Sequence, residues 1–126
     1  MPNVYTNHKA KLANTSLTTI YTVPTAKTAI IKSIRVANED TSNDCNITVT
    51  LVDTGSVIYM IEKDRTIQAK RSQELLATGN MAQDSADSSV AGPTPLIAKE
   101  SEIIKAQAEN ANDLSIIISV LEISDV

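Results

Sequence analysis

Short runs of β-branched and aliphatic residues recur along this chain, each bounded by Asn, Asp, Ser, Thr, Pro or Gly. Residues 46–52, NITVTLV, alternate cleanly: Ile47, Val49 and Leu51 face one way, Thr48 and Thr50 the other. Residues 17–23 and 28–37 read as two strands around the turn PTAK, where Pro24 suits the first corner of a type I turn. Residues 57–61 follow DTGS, a hairpin connection that holds a glycine. Residues 66–69 and 74–76 read as a weaker pair or one interrupted strand, and Leu96 with Ile97 as a short edge. Residues 103–108 and 114–123 close the pattern, joined by ENAND, a turn built from Asn and Asp. In the last strand Leu114, Ile116, Ile118 and Val120 form one face, and Ser115, Ile117, Ser119, Leu121 and Ile123 the other. Both faces are largely apolar. That suits a strand covered by the opposite sheet and a neighbouring subunit, or the central strand of a monomeric sandwich. Ile47, Val49, Leu51, Ile116 and Ile118 are the expected core.

Helical period is weak: it surfaces only in SQELLATGNMAQ, where Gly79 ends it. Eight to nine short strands with regular punctuation imply an all-β chain, an antiparallel β-sandwich of jelly-roll-like form. Two segments stand apart from that pattern. Residues 4–12 alternate without a strong apolar face: Val4 stands with Thr6, His8 and Ala10, and Tyr5 with Asn7, Lys9 and Lys11. A strand so equipped belongs at an edge. Residues 1–11 are therefore expected to be an arm that touches another chain by strand addition, or else an edge strand of their own sheet. Tyr5 has the area and polar tip of an interface anchor. Residues 77–94 are small and polar, with too little apolar area to offset the entropy of fixing them. This long loop is expected to be ordered by contact with another chain. The candidate interface residues are Val4, Tyr5, Asn7 and Lys9 in the arm, and Met81, Asp84 and Val90 in the loop.

Composition changes the picture in three ways. With 126 residues the chain is expected to be one domain, 1–126, able to bury a core without staples. With no Phe and no Trp, that core has to be filled by Ile, Val, Leu and Ala. With three Gly, most bends fall to Asn, Asp, Ser and Thr. The net charge of −4 argues against a nucleic-acid partner. No apolar run approaches the roughly 20 residues that span a bilayer, and MPNVYTNHKAK lacks the apolar stretch of a signal peptide. A soluble protein with no membrane partner, made in a reducing cytoplasm, is the expectation.

Candidate chemistry is sparse. His8 is the single histidine, so no His-based metal site is expected, and it reads as an ordinary surface or interface residue. Cys45 is the single cysteine and reads as a small, at least half-buried hydrophobe. Glu39, Asp40, Asp44 and Asp53 lie at loop ends without calcium-loop spacing and read as turn formers. Lys63, Arg65, Lys70 and Arg71 read as a solvated face or a site for an acidic protein partner. Gly55 and Gly79 are isolated, so no phosphate loop is present. No catalytic, cofactor-binding or metal residue is assigned, and an enzyme is not expected.

The segments NVYTNHKAKL, TSLTTIYTVPTAKTAIIKSIRVAN, NITVTLVD and PLIAKESEIIKAQAENANDLSIIISVLEI together resemble a group of small virion structural proteins of tailed bacteriophages. The similarity is to phages of marine and freshwater bacteria such as cyanobacteria. It covers residues 3–124 apart from the loop around 82–92. Two turns depart from the group: Ala26 stands where Gly is usual, and Glu102 where Asp is usual. The resemblance implies a β-sandwich that assembles on the phage particle. Within it, a capsid decoration (cement) protein fits a small acidic chain, acting as a homotrimer on the outer surface of the capsid and bridging subunits of the major capsid protein. Neck, tail or baseplate components use similar modules, as do host-glycan-binding sandwiches, for which only Tyr5, Tyr21 and Tyr59 are available as platforms.

Overall fold

Alternation is realised as pleat. In the computed structural model, which describes residues 3–76 and 95–124, the chain forms nine strands among those residues and no helix. They are β1 (Val4–Lys11), β2 (Thr18–Thr22), β3 (Lys27–Asn38), β4 (Cys45–Val52), β5 (Ile58–Ile67), β6 (Ser72–Glu74), β7 (Leu96–Ala98), β8 (Ile103–Ala108) and β9 (Leu114–Ser124). One antiparallel sheet has the order β1-β9-β3-β6, with β7 also on β3; the other has the order β2-β8-β4-β5. The pairs are nested. β4 pairs with β5, β3 with β6 and β7, β2 with β8, and β1 with β9. A ribbon folded back on itself and wrapped into two facing sheets has this order, which is the jelly roll.

The inward face of each strand supplies the core. Ile31, Ile34 and Val36 from β3 and Ile116, Ile118 and Val120 from β9 face Ile47 and Val49 from β4 and Ile104 and Ala106 from β8, all fully buried. Aliphatic side chains carry almost all of this volume, as the composition requires; Tyr21 is the aromatic among them. Four of the five expected core residues, Ile47, Val49, Ile116 and Ile118, are fully buried. Leu51 is only half-buried against the core's rim, because its partner across the ladder, Tyr59, stays exposed and leaves that corner open. Thr50 is buried in its place, on the outward side of β4.

Two strand boundaries differ from expectation. β5 runs unbroken through EKDR, where the hydrophobic pattern lapses, because two register shifts against β4 absorb the irregularity. The bend before β3 turns at Thr25 and Ala26, one residue later than a corner at Pro24, and Ala26 takes a left-handed φ of 63°. Ser56, Asp64, Lys70, Ser101 and Asn112 also have positive φ. With glycine so scarce, the left-handed positions fall mainly to Ser, Asp and Asn, the last two being the types that tolerate them best. In the DTGS hairpin the left-handed residue is Ser56, at 65°, next to the glycine.

β6 and β7 lie along the same edge of β3, opposite residues 35–37 and 29–31. Between them, at the register shift in β3, no strand among the described residues covers the edge. Glu74 fills the gap: the Ile34 N–H donates to its Oε2 at 2.9 Å and the Ser33 hydroxyl donates to Oε1. The Leu75 N–H in turn donates to the Ile34 carbonyl at 2.8 Å. The side chain thus supplies the acceptor that a ladder supplies elsewhere. The expected interface positions Met81, Asp84 and Val90, with the rest of loop 77–94, lie outside the described residues.

Candidate interaction surface

The outward face of the five-stranded sheet brings most of the described interface candidates together. β1 is an edge strand, paired with β9 over its whole length, so residues 4–11 belong to the sandwich, and no described strand pairs with their other edge. Register then decides what stands beside what. Tyr5 is opposite Leu121, Leu121 is opposite Ile30, and Ile30 is opposite Ile97. Directly opposed residues share a face. The four therefore form one apolar row across four strands, with Tyr5 75% and Ile97 60% exposed at its ends. The next rows are more polar: Asn7 stands with Ser119 and Ser33, and Lys9 with Ile117 and Arg35. An open hollow of about 360 Å³ lies beside Tyr5, lined by Asn7, Lys32 and Ser119 among others. Val4 belongs to the inward row of β1 but is exposed at the open end of the sheet.

The other singled-out residues are structural. His8, expected at the surface or in an interface, is half-buried and faces inward. Its ring lies 4.3 Å from that of Tyr21, and its Nε2 is buried with no hydrogen-bond partner among the described residues. The reason is the inward phase it shares with Ala10 in β1. The Tyr21 hydroxyl donates to Glu122 Oε2 at 2.7 Å, and Lys27 Nζ lies 3.9 Å from Oε1. Burial first, then the hydrogen bond and charge of Glu122, hold the Tyr21 phenol well above the ordinary tyrosine value. Cys45 is buried, which raises its thiol. Asp53 and Asp40 are turn formers: Asp53 Oδ1 accepts from the N–H groups of Gly55 and Val57, and Asp40 Oδ1 from those of Ser42 and Asn43, which lowers the Asp40 carboxyl. Asp44 accepts from the Ala69 N–H, and Glu39 pairs with Lys11 at 3.3 Å. Of the basic group, Arg65 pairs with Glu62 at 3.2 Å and Lys63 Nζ lies 3.9 Å from Asp64. Among the described residues, no group of three or more His, Cys, Asp or Glu is placed to hold a metal ion.

A second exposed apolar stretch escaped the sequence reading. Val57, just before β5, and Ile58, Tyr59 and Met60 at its start are all about half exposed, along what is, among the described residues, the free edge of the four-stranded sheet. The signal was present: VIYMI is an unbroken run of five apolar residues.

The chain matches no protein-family model and no curated protein. Among solved structures it is similar to a chain in the acidic stable capsid structure of Helicobacter pylori bacteriophage KHP30. That likeness has 16% identity and a TM-score of 0.45, and covers 98% of this chain and 89% of that one. It is also similar to a chain in the structure of infectious bursal disease virus, Gt strain, at 4% identity and a TM-score of 0.37, over 98% of this chain and 31% of that one.

Proposed function

We propose that this protein is a bacteriophage virion structural protein that decorates and stabilises the capsid, bridging neighbouring subunits of the major capsid protein from the outer surface. The observation that carries the reading is the Tyr5–Leu121–Ile30–Ile97 row, an apolar band on the outward face of a sheet whose other face is already filled. A sheet face of this kind is built to meet another protein surface. Residues 1–11 act as the contacting arm through Tyr5, Asn7 and Lys9, and residues 77–94 as a second contact, in a homotrimer of one-domain chains. The sequence resemblance to phage virion proteins supports the same reading.

The mechanism is mechanical. A clip that binds the assembled shell, and not its separated subunits, stabilises the shell by linkage. Each contact can be modest, since a trimer engages three sites at once and gains from effective concentration. The test is a quantified gel of purified virions. Decoration gives on the order of hundreds of copies per particle, whereas a neck, tail or baseplate component gives about a dozen, as the symmetry of shells and tails demands. A Tyr5→Ala, Ile97→Ser variant is expected to fold normally and be lost from particles, and particles lacking it to release DNA at lower temperature. A dozen copies, or full retention of the variant, overturns the reading.

A further inference from the structure

β5 is an edge strand whose two parts are built differently. Its later part carries Glu62, Lys63, Asp64 and Arg65 in succession, beside the register shifts against β4. Charges and bulges are the usual means by which an edge is closed to other strands. The remaining edges are guarded likewise: β1 carries Lys9 and Lys11, β2 is threonine-rich with a register shift, and β6 and β7 have three residues each. Among the described residues, 57–60 have no such guard. Val57, Ile58, Tyr59 and Met60 are 48%, 53%, 53% and 54% exposed, with side chains on both faces of the strand.

The backbone there is also directional. The Asp53 N–H donates to the Val57 carbonyl at 3.1 Å, which makes 53 and 57 a hydrogen-bonded pair. Such pairs alternate along an antiparallel ladder, so Leu51 and Tyr59 form the next one, and Ile58 and Met60 direct their N–H and C=O groups to the open edge. These two residues are symmetric about Tyr59. We propose that β5 of two copies of this chain pairs antiparallel about a two-fold axis at Tyr59. Ile58 of each copy then exchanges hydrogen bonds with Met60 of the other, and the two four-stranded sheets merge into one of eight. Tyr59 lies directly opposite its counterpart, and Val57 lies opposite Ile61 of the second copy.

Self-complementarity singles out a second copy as the occupant. The two-fold sets apolar against apolar at each paired position and leaves the charged run 62–65 beyond them. The size of the contact sets its strength. With about half of four side chains available, each copy contributes roughly 400 Å², against about 800 Å² per partner in lasting complexes. The pairing is therefore weak in dilute solution and closes when copies are held side by side. A two-fold contact leaves the outward face of the other sheet free, and it concerns the isolated protein, so its failure leaves the proposed virion role untouched.

The experiment uses the full chain. Opposed residues at a non-hydrogen-bonded antiparallel position lie about 4.5 Å apart at Cα, within the span of a disulfide. The native Cys45 is buried, so an introduced thiol reports alone. Under mild oxidation at about 100 µM, Tyr59→Cys is expected to form covalent dimer about ten-fold faster than Lys63→Cys, an exposed position on the same strand. The native chain is expected to sediment faster as concentration rises from about 10 µM to about 1 mM, and Met60→Lys to abolish that rise with an unchanged melting temperature. Equal cross-linking of the two cysteine variants, or a native chain monomeric at the highest concentration, overturns the proposal. So does Met60-dependent binding to another virion protein by a chain that stays monomeric, since the edge then belongs to that partner.

Discussion

Removing one hydroxyl tests how the sandwich holds its buried polar pair. Tyr21 is 2% exposed, and its hydroxyl donates to Glu122 Oε2 at 2.7 Å; the other carboxylate oxygen lies 3.9 Å from Lys27 Nζ. A hydrogen bond to a charged group contributes about 1.5–3 kcal/mol, and here the largely buried carboxylate loses its near partner. Tyr21→Phe is therefore expected to cost about 2 kcal/mol, a fall in Tm of roughly 8–10 °C for a chain of this size. The shift in the phenol adds a signature that simple loss of packing lacks. An unfolded tyrosine ionises near 10.0, and folded Tyr21 only well above that. Its stabilisation is thus complete below about pH 10 and is lost as pH rises from there toward the folded-state value, because only the unfolded chain gives up its proton. The deficit of Tyr21→Phe against the native chain should hold constant below about pH 10 and shrink as the pH rises above it. Thermal melts of both chains, with Glu122→Gln to complete a double-mutant cycle, read all of this. A Phe variant within 1 °C of the native chain, or a deficit independent of pH, refutes the claim that the pair is desolvated and mutually dependent.

Two other expectations follow from the backbone. Glu74→Ala leaves the Ile34 N–H without its acceptor in the gap between β6 and β7, so chemical denaturation should show a loss of about 1–3 kcal/mol; a loss under half that would mean that water takes over the contact. Ser56→Gly relieves a left-handed φ of 65° and should raise stability by about 0.5–1 kcal/mol. By contrast Gly55→Ala should be close to neutral, since its added Cβ meets only Asp53 Oδ1, at an ordinary 3.5 Å. A destabilised Ser56→Gly in the same melts would show that the hairpin needs its serine for another reason.

Much of the fold was legible because side-chain alternation is a local property. NITVTLV and LSIIISVLEI declare a strand and its two faces without reference to anything distant, and the inward phase of Ile47, Val49, Ile116 and Ile118 followed directly. The shortage of glycine likewise foretold Asn and Ser at the bends, and Asn112 and Ser101 occupy two of the left-handed ones. What failed was the reading of stretches where local pattern and partner disagree. EKDR looks like a break, yet β4 carries β5 through it by taking up two register shifts. Leu51 has a core phase, but whether a core residue is sealed depends on the neighbouring strand, and Tyr59 leaves it open.

The candidate surface divides in the same way. Tyr5 could be chosen as an anchor from its own chemistry, since an aromatic in a polar strand is visible in one dimension. That it stands in a row with Leu121, Ile30 and Ile97 was decided by the pairing of the first strand with the last and of the last with the third. A period of two specifies which side of a strand a residue occupies, and says nothing about which residue of another strand lies beside it. For the same reason, Glu74 as the plug of a broken edge and Glu122 as the acceptor of Tyr21 exist only in the folded chain, where register brings a carboxylate to a donor far away in sequence.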